Sequence, residues 1–358
     1  MVDEGCSSCR NKFFLVVGLL AVGYYLNKDK EVTSCDGYNY DTLTSVEYKG
    51  DEIRHHIVVV TDLDQSSLLK TSKKPTWRSF IQAGTLVLKG DQVSVEWDEN
   101  EHEIQSQFAL GGRAMELSDL VVFDGKLLSI DDRTGIVYQI TNDYKTVPWV
   151  FLNDGPGNTT KNLKGEWLAV KDCTLYAGGL GKEWTTTEGV FVNHNPMYVK
   201  KISRKGEVEH VRWVDEFIAV RKAAGVVDPG YMIHESVQWS EIHQKWFFLP
   251  RRVSKNEIYT EATDETKGSN TVITASVDFK TITVKEIGSK GNGARGFSAF
   301  QFVPNTNDEL IVALKSEEKD GEPVGSYITV FNWKTGKILL EEKQLRGAYK
   351  FEGIVFAF

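Results

Sequence analysis

The sequence predicts an all-β protein, a five-bladed β-propeller, on three observations. From Arg54 onward, short strand candidates alternate with turn signals and helix evidence is thin. One layout, a polar residue followed by a hydrophobic hairpin, then recurs along the chain, as in propellers and arrays. Its markers Asp64, Ser118, Glu166, Glu235, Ser298 and Glu352 are spaced by 54, 48, 69, 63 and 54 residues, intervals that suit four-stranded blades plus loops. Five intervals give five blades, and the terminal strand near Glu352 is expected to pair with the first, near His56 to Thr61. Closure of that kind leaves no exposed sheet edge to protect.

The N-terminal residues form a separate object. Phe13 to Leu26 is an uncharged apolar run flanked by Arg10 and Lys12 before it and Lys28 and Lys30 after it. As a helix it would span about 21 Å against a hydrocarbon core of roughly 30 Å, so length alone favours a signal-peptide core. Ala21-Val22-Gly23 offers a small-x-small cleavage site, whereas Tyr24, Tyr25, Lys28 and Lys30 suit an uncleaved anchor. The expected organisation is a tail (1–12), a signal-anchor segment (13–26), a stem (27–40) and the propeller (41–358). Cys6 and Cys9 precede the apolar run and are either palmitoylation sites or free thiols. Either Cys35 and Cys173 pair in an oxidising lumen or Cys173 is a small core residue, and Asn158-Thr159-Thr160 is a sequon, which makes Asn158 a glycosylation candidate in a lumenal domain.

Four blade units follow in order. Glu116-Leu117-Ser118-Asp119 leads into LVVF, a turn at Asp124-Gly125 and KLLSIDD. Glu166-Trp167 leads into LAV, a turn at Lys171-Asp172 and TLYAGG. Glu235-Ser236 leads into VQW and, after Glu241 to Gln244, KWFFLPR. Gly296-Phe297-Ser298 leads into AFQFV and, after Asn305 to Asp308, ELIVALK. A fifth stub, Tyr349 to Gly353, ends in IVFAF. The one clear helix is Val214 to Ala224, with Asp215 placed to cap it and Gly225 to end it.

Composition narrows the function. With 41% hydrophobic and 26% charged residues and 31 Gly against 8 Pro, the 358-residue chain is neither collagen-like, coiled-coil nor low-complexity. Lys+Arg 42 against Asp+Glu 50 gives a net charge of -8, which argues against a nucleic-acid partner. No GxxxxGK[ST], GxSxG or HExxH pattern occurs, so P-loop, α/β-hydrolase and zincin chemistry have no support. If the polar markers open the innermost strands, Glu166, Glu235 and Glu352 converge on the channel mouth. Three like charges in a small space are costly unless a cation sits among them, and an all-oxygen set favours Ca²⁺. The alternative is that these Glu cap strands or pair with Arg at the rim.

The stretches GRAMELSDLVVFDGKLLSIDDRTG, KGEWLAVKDCTLYAGGLGKEWTTTEG, GYMIHESVQWS, KWFFLPRR, GFSAFQFVPNTND, IVALKSEE and FEGIVF resemble the calcium-activated nucleotidase (apyrase) family, from about Tyr38 to Phe358. That family includes blood-feeding arthropod salivary enzymes and a vertebrate ER/Golgi nucleotidase. The resemblance implies a five-bladed propeller holding one Ca²⁺ and hydrolysing nucleoside di- and triphosphates. It implies a metal site of Ser118, Glu166, Glu235, Ser298 and Glu352 with Asp119 beside it, the serines acting through backbone carbonyls. It also implies an ER/Golgi type II membrane protein with a lumenal domain, secreted if cleaved after Gly23, acting on UDP and GDP and forming a Ca²⁺-dependent homodimer.

For the reaction itself, Arg113, Lys164, Lys182, Arg251 and Arg295 are the expected phosphate-binding residues, with Lys315 a further candidate; each is alternatively a solvated rim charge. Asp62, Asp64 and Glu116 are expected to orient or deprotonate the attacking water. Trp184 is placed to stack on a base or to pack in the core, and His234 either contacts a ligand or, as expected, is a satisfied structural histidine. Two other readings compete: a Ca²⁺-dependent lactonase or phosphoesterase, and a non-catalytic Ca²⁺-stabilised propeller that binds a protein partner.

Overall fold

A computed structural model describes residues 35–347 and 349–357, so the expected tail, anchor, Cys6 and Cys9 lie outside the described residues. The compact unit runs from Tyr38 to Phe358. After β1 (Val46–Lys49), the first blade takes β2 (Glu52–Asp62), β3 (Trp77–Lys89) and β4 (Gln92–Ser106). Blade II is β5 (Leu117–Phe123), β6 (Lys126–Asp131), β7 (Ile136–Ile140) and β8 (Thr146–Phe151). Blade III starts with β9 (Trp167–Lys171) and β10 (Thr174–Gly178). A side hairpin, β11 (Trp184–Thr185) and β12 (Phe191–Asn193), precedes its outer strands β13 (Tyr198–Ile202) and β14 (Val208–Arg212). Blade IV is β15 (Tyr231–Ser240), β16 (Lys245–Ser254), β17 (Thr271–Ser276) and β18 (Ile282–Glu286). Blade V is β19 (Arg295–Phe302), β20 (Leu310–Lys319), β21 (Glu322–Asn332) and β22 (Ile338–Gln344).

The final strand, β23 (Lys350–Phe356), pairs antiparallel with β2 from Ile57↔Phe356 to Asp62↔Lys350 and becomes the innermost strand of blade I. The expected closure is therefore present. The inner strands β23, β5, β9, β15 and β19 touch in sequence around the ring.

Strand alternation explains why these sequences make blades. Ile57 and Val59 on β2 pack towards blade V, while Val58 and Val60 pack towards blade II. Both faces of the strand are covered, so its core-facing residues read as a continuous apolar run rather than an alternating one. Five apolar clusters result, one between each pair of neighbouring blades. Asp119 helps to tie blade II to blade III: its carboxylate accepts the N–H of Leu120 at 2.7 Å and that of Leu168 at 2.8 Å.

Turn chemistry is mostly as expected. Asp124-Gly125 makes the two-residue turn with φ of 50° and 70°. In blade III the turn falls one residue later than expected, on Asp172-Cys173, since Lys171 pairs with Thr174. Cys35 and Cys173 are both disulfide-bonded. The helix α1 (Val214–Ala223) is present, but Asp215 sits in its first turn and bonds Arg212 rather than capping. A one-turn helix, α2 (Glu261–Asp264), follows β16.

Gly353 on β23 shows how closely the inner strands approach. A Cβ there would meet Val60 Cγ1 at 2.7 Å and the backbone of Asp119 and Leu120 at 2.8 and 2.9 Å. Backbone cannot step aside, so Gly353→Ala is expected to cost about 1–3 kcal/mol, read as a lower melting temperature.

Candidate active site

Ser118, Glu235, Ser298 and Glu352 lie on the inner strands β5, β15, β19 and β23, and Glu166 directly precedes β9; the three Glu share one cavity, whereas Ser118 and Ser298 are buried outside its lining. Asp64 is the exception. It follows β2, the second strand of blade I, and starts a 3-10 turn (Asp64–Ser67), so it shares a blade with Glu352 instead of opening one of its own. The two meet around one ammonium: Lys350 Nζ lies 2.6 Å from Asp62, 3.0 Å from Asp64, 3.6 Å from Glu318 and 3.7 Å from Glu352. Burial opposes that charge, but the four carboxylates hold Lys350 well above the usual lysine range.

A cavity of about 290 Å³ opens at this end. Glu166, Glu235 and Glu352 line it together with Lys164, Lys182, Trp184, Arg251 and Lys350. Arg251 bridges the carboxylates: it donates to Glu352 at 2.8 Å and also pairs with Glu235 and Glu318. Lys164 lies 2.8 Å from Glu166 and bonds Asp132. Burial first, then repulsion from Glu235 and other carboxylates, raises both Glu166 and Glu352 to about 8 despite their cationic neighbours. The rim-pairing alternative is thus realised in part, yet the anionic forms of these two groups remain disfavoured.

Asp62, Asp64 and Glu116 form a second cluster, offering carboxylate oxygens within 4.8 Å of one another. An isolated bridge between Asp62 and Glu116 joins blade I to the start of blade II. Glu116 is held by Arg113 through two bonds of 2.7 and 2.6 Å and by Arg133 at 2.8 Å, and Arg113 also reaches Asp64 at 3.3 Å. Each acid here faces a cation, as do Glu166, Glu235 and Glu352 in the first group. A cavity of about 370 Å³, walled by Asp62, Asp64, Arg113, Arg133 and Lys350, lies beside the first and shares Asp64, Arg133 and Lys350 with it.

Several expected residues lie elsewhere. Arg295 is a correction: strand alternation on β19 puts it with Phe297, on the opposite face from Ser298, in a separate cavity between blades IV and V. There it bonds Glu317 at 3.0 Å and Glu342 at 2.9 Å and stacks over Tyr327. Lys315, the cross-strand partner of Phe297, is buried in that same cavity on Asn270 and Glu342. Asp119 has both carboxylate oxygens committed to backbone N–H groups, so its side chain faces the blade junction. His234 is fully buried against Phe217 and Phe248, and burial lowers it to about 3; neither ring nitrogen has a hydrogen-bond partner, so it packs as a ring and is not the satisfied histidine expected. Asn158 is exposed.

Trp184 does line the main cavity, but its indole N–H bonds Asp154 at 2.7 Å and the Lys161 ammonium covers its ring at 3.2 Å. Asp132, Arg133, Arg252, Tyr259, Asp264, Glu318 and Lys350 also line it, and the sequence did not single them out. One signal pointed to Lys350: it precedes Glu352 by two residues, as Lys164 precedes Glu166, and in a strand such residues share a face.

A family model described as Apyrase matches residues 63–357. The chain belongs to the apyrase family. It is 51% identical to "Apyrase apy-1" of Caenorhabditis elegans over the whole of both chains. It is 52% identical to "Soluble calcium-activated nucleotidase 1" of Rattus norvegicus over 85% of this chain and 74% of that one. "Apyrase" of Cimex lectularius is 40% identical over 95% of each. As an apyrase, the protein is a hydrolase that removes phosphate from nucleotides.

Lys182 lines the main cavity. It is 4% exposed, donates to Thr185 at 2.8 Å and the Glu183 carbonyl at 3.0 Å, and lies 4.3 Å from the centre of the Tyr259 ring. Burial is the main cause that lowers it to about 8. Its charge is therefore lost as pH rises through 8, well before an exposed lysine would titrate. We expect kcat/KM for a nucleotide to fall above pH 8, and Lys182→Arg to remove that limb of the profile because arginine stays charged.

Proposed function

We propose that the protein hydrolyses nucleoside di- and triphosphates in a Ca²⁺-dependent manner, with UDP and GDP as preferred substrates. The observation that carries this is the buried group Glu166, Glu235 and Glu352, in which burial and mutual repulsion disfavour two of the three anions. A divalent cation reverses that balance, and an oxygen-only donor set suits Ca²⁺. The residues present fit the ion: Glu166 Oε1 is buried with no hydrogen-bond partner, although Lys164 lies 2.8 Å away. Glu166, Glu235 and Glu352 would hold the ion with the carbonyls of Ser118 and Ser298, whereas Asp119 has its carboxylate and carbonyl committed to Leu120, Leu168 and Ser129.

Bound Ca²⁺ would supply charge neutralisation to the phosphate oxygens. The remaining work falls to the chain. Lys164, Lys182, Arg251 and Lys350 line the cavity and orient the phosphates, since phosphoryl transfer is mainly positioning and electrostatics. Arg113 holds Glu116 and Asp64 in place at the adjoining cavity. Asp62, buried and raised chiefly by desolvation, is suited to accept a proton from the attacking water, with Asp64 and Glu116 orienting it.

The sequon, the disulfide-bonded cysteines and the apolar Phe13–Leu26 run support a lumenal domain in the ER/Golgi, anchored as a type II membrane protein. The proposal extends to a Ca²⁺-dependent homodimer and a glycan on Asn158. The test is phosphate release from UDP, GDP, ADP and ATP by the domain from Cys35 onward, which keeps the disulfide-bonded cysteines, in Ca²⁺ and in chelator with Mg²⁺. Turnover restricted to Ca²⁺ supports the reading; equal turnover in both conditions refutes the metal requirement.

A further inference from the structure

The cavity between blades IV and V, about 490 Å³, shares no lining residue with the two cavities at the channel mouth and has no part in the reaction derived above. Its size falls within the usual range for small-molecule sites, about 300–1,000 Å³. Ile287, Phe297, Phe331 and Ile338 give it an apolar floor. Its charged side carries three cations, Lys290, Arg295 and Lys315, against two carboxylates, Glu341 and Glu342.

Donors around it are left over. Arg295 commits Nε to Glu317 and Nη1 to Glu342, which leaves Nη2 with no acceptor among the described residues. Lys315 is 2% exposed and gives only two of its three N–H bonds, to Asn270 and Glu342. Lys290, at the rim, has no ion pair among the described residues; burial and the neighbouring Lys267 and Lys255 lower it, and Glu286 opposes them. The loop that carries Lys290 turns through Gly288, Gly291 and Gly293, with φ of 63°, 60° and 76°. Its backbone N–H groups at Gly288, Ser289, Lys290 and Asn292 have no acceptor among the described residues. Turns of this kind gather N–H groups into anion-binding concavities. Glu342 already shows where an anion sits: its carboxylate lies 2.9 Å from Arg295 and 2.7 Å from Lys315.

We propose that this cavity is a second ligand site, which binds a phosphate or sulfate ester of a small organic molecule with its oxyanion on Arg295, Lys290 and the 288–292 amides. A tetrahedral oxyanion matches the free guanidinium edge and the cluster of N–H donors, and charge-assisted bonds of this type are the strong ones. A bare ion would occupy a small part of the cavity and leave its apolar floor uncovered. An ester fills both parts, the oxyanion on the charged side and the organic body over Phe297 and Ile338. The site lies outside the catalytic cavities, so it stands whether or not the nucleotidase reading does.

The test is calorimetric titration of the full chain in chelator, so that no channel ion can hold the oxyanion, with glucose 6-phosphate, glucose 6-sulfate, inorganic phosphate and inorganic sulfate. At least one ester should bind more tightly than its inorganic ion, and the tighter of the two esters names the oxyanion. Lys290→Gln and Arg295→Gln should each weaken that ester by about tenfold, the order of one charged hydrogen bond. Arg295→Gln also breaks the pairs with Glu317 and Glu342, so Lys290→Gln, at an exposed position, is the deciding variant. Lys343→Gln, exposed on β22 outside the lining, and Lys182→Gln, in the main cavity, should leave the affinity unchanged. Esters that bind no better than the inorganic ions, an affinity that Lys290→Gln does not alter, or a loss caused by Lys182→Gln instead would each overturn the proposal.

Discussion

Glu166→Gln should reduce nucleotide turnover by about 10²–10³ or more while leaving the propeller folded. Glu166 is 2% exposed, directly precedes an inner strand and faces Lys164 and the other channel carboxylates. Glutamine keeps its shape and removes the charge that a divalent cation needs. The neutral amide is also easier to bury than a carboxylate already raised to about 8, so no loss of stability is expected without metal. Two measurements check this together: phosphate release at saturating Ca²⁺ and the melting temperature in chelator. Loss of activity with an unchanged or higher melting temperature agrees with the account; full activity would contradict it.

Arg251→Met should act in the opposite way, on stability first. Arg251 is buried among Glu235, Glu318 and Glu352 and is held well above its usual range by those three carboxylates, although burial opposes its charge. Removing one partner of a buried ion network leaves uncompensated charge and typically costs about 3–5 kcal/mol. The melting temperature in chelator should drop by many degrees. Added Ca²⁺ should recover part of that loss, because the ion neutralises Glu235 and Glu352, whereas the wild type should gain less from the same addition. A variant as stable as the wild type in chelator would show that Arg251 is not the neutralising group.

Much of this was legible in the sequence because a propeller repeats itself. Ser118, Glu166, Glu235, Ser298 and Glu352 announce the inner strands since each blade begins its hairpin at the channel, and the period exposes them. The closure of β23 on β2 followed from the apolar run at Ile57–Val60 and the unpartnered final strand. The misplacements have equally physical causes. Arg295 precedes Ser298 by three residues, and with a register shift between Phe297 and Ala299 its side chain faces away from the channel. Glu318, Arg252 and Asp264 come from strand ends and loops that no repeat marks, and they reach the cavity only through the packing of blades IV and V. Asp64 shares the spacing of the repeat but belongs to the end of β2, because the strand that completes its blade arrives from the other end of the chain.

The most direct test of the central claim is a crystal structure with Ca²⁺ present, located by its anomalous signal. The account predicts one ion in the channel, with oxygens of Glu166, Glu235 and Glu352 at about 2.3–2.6 Å and Arg251 withdrawn from at least one of these carboxylates. An ion bound instead among Asp62, Asp64 and Glu116, with Arg251 still bridging Glu235 and Glu352, would contradict it.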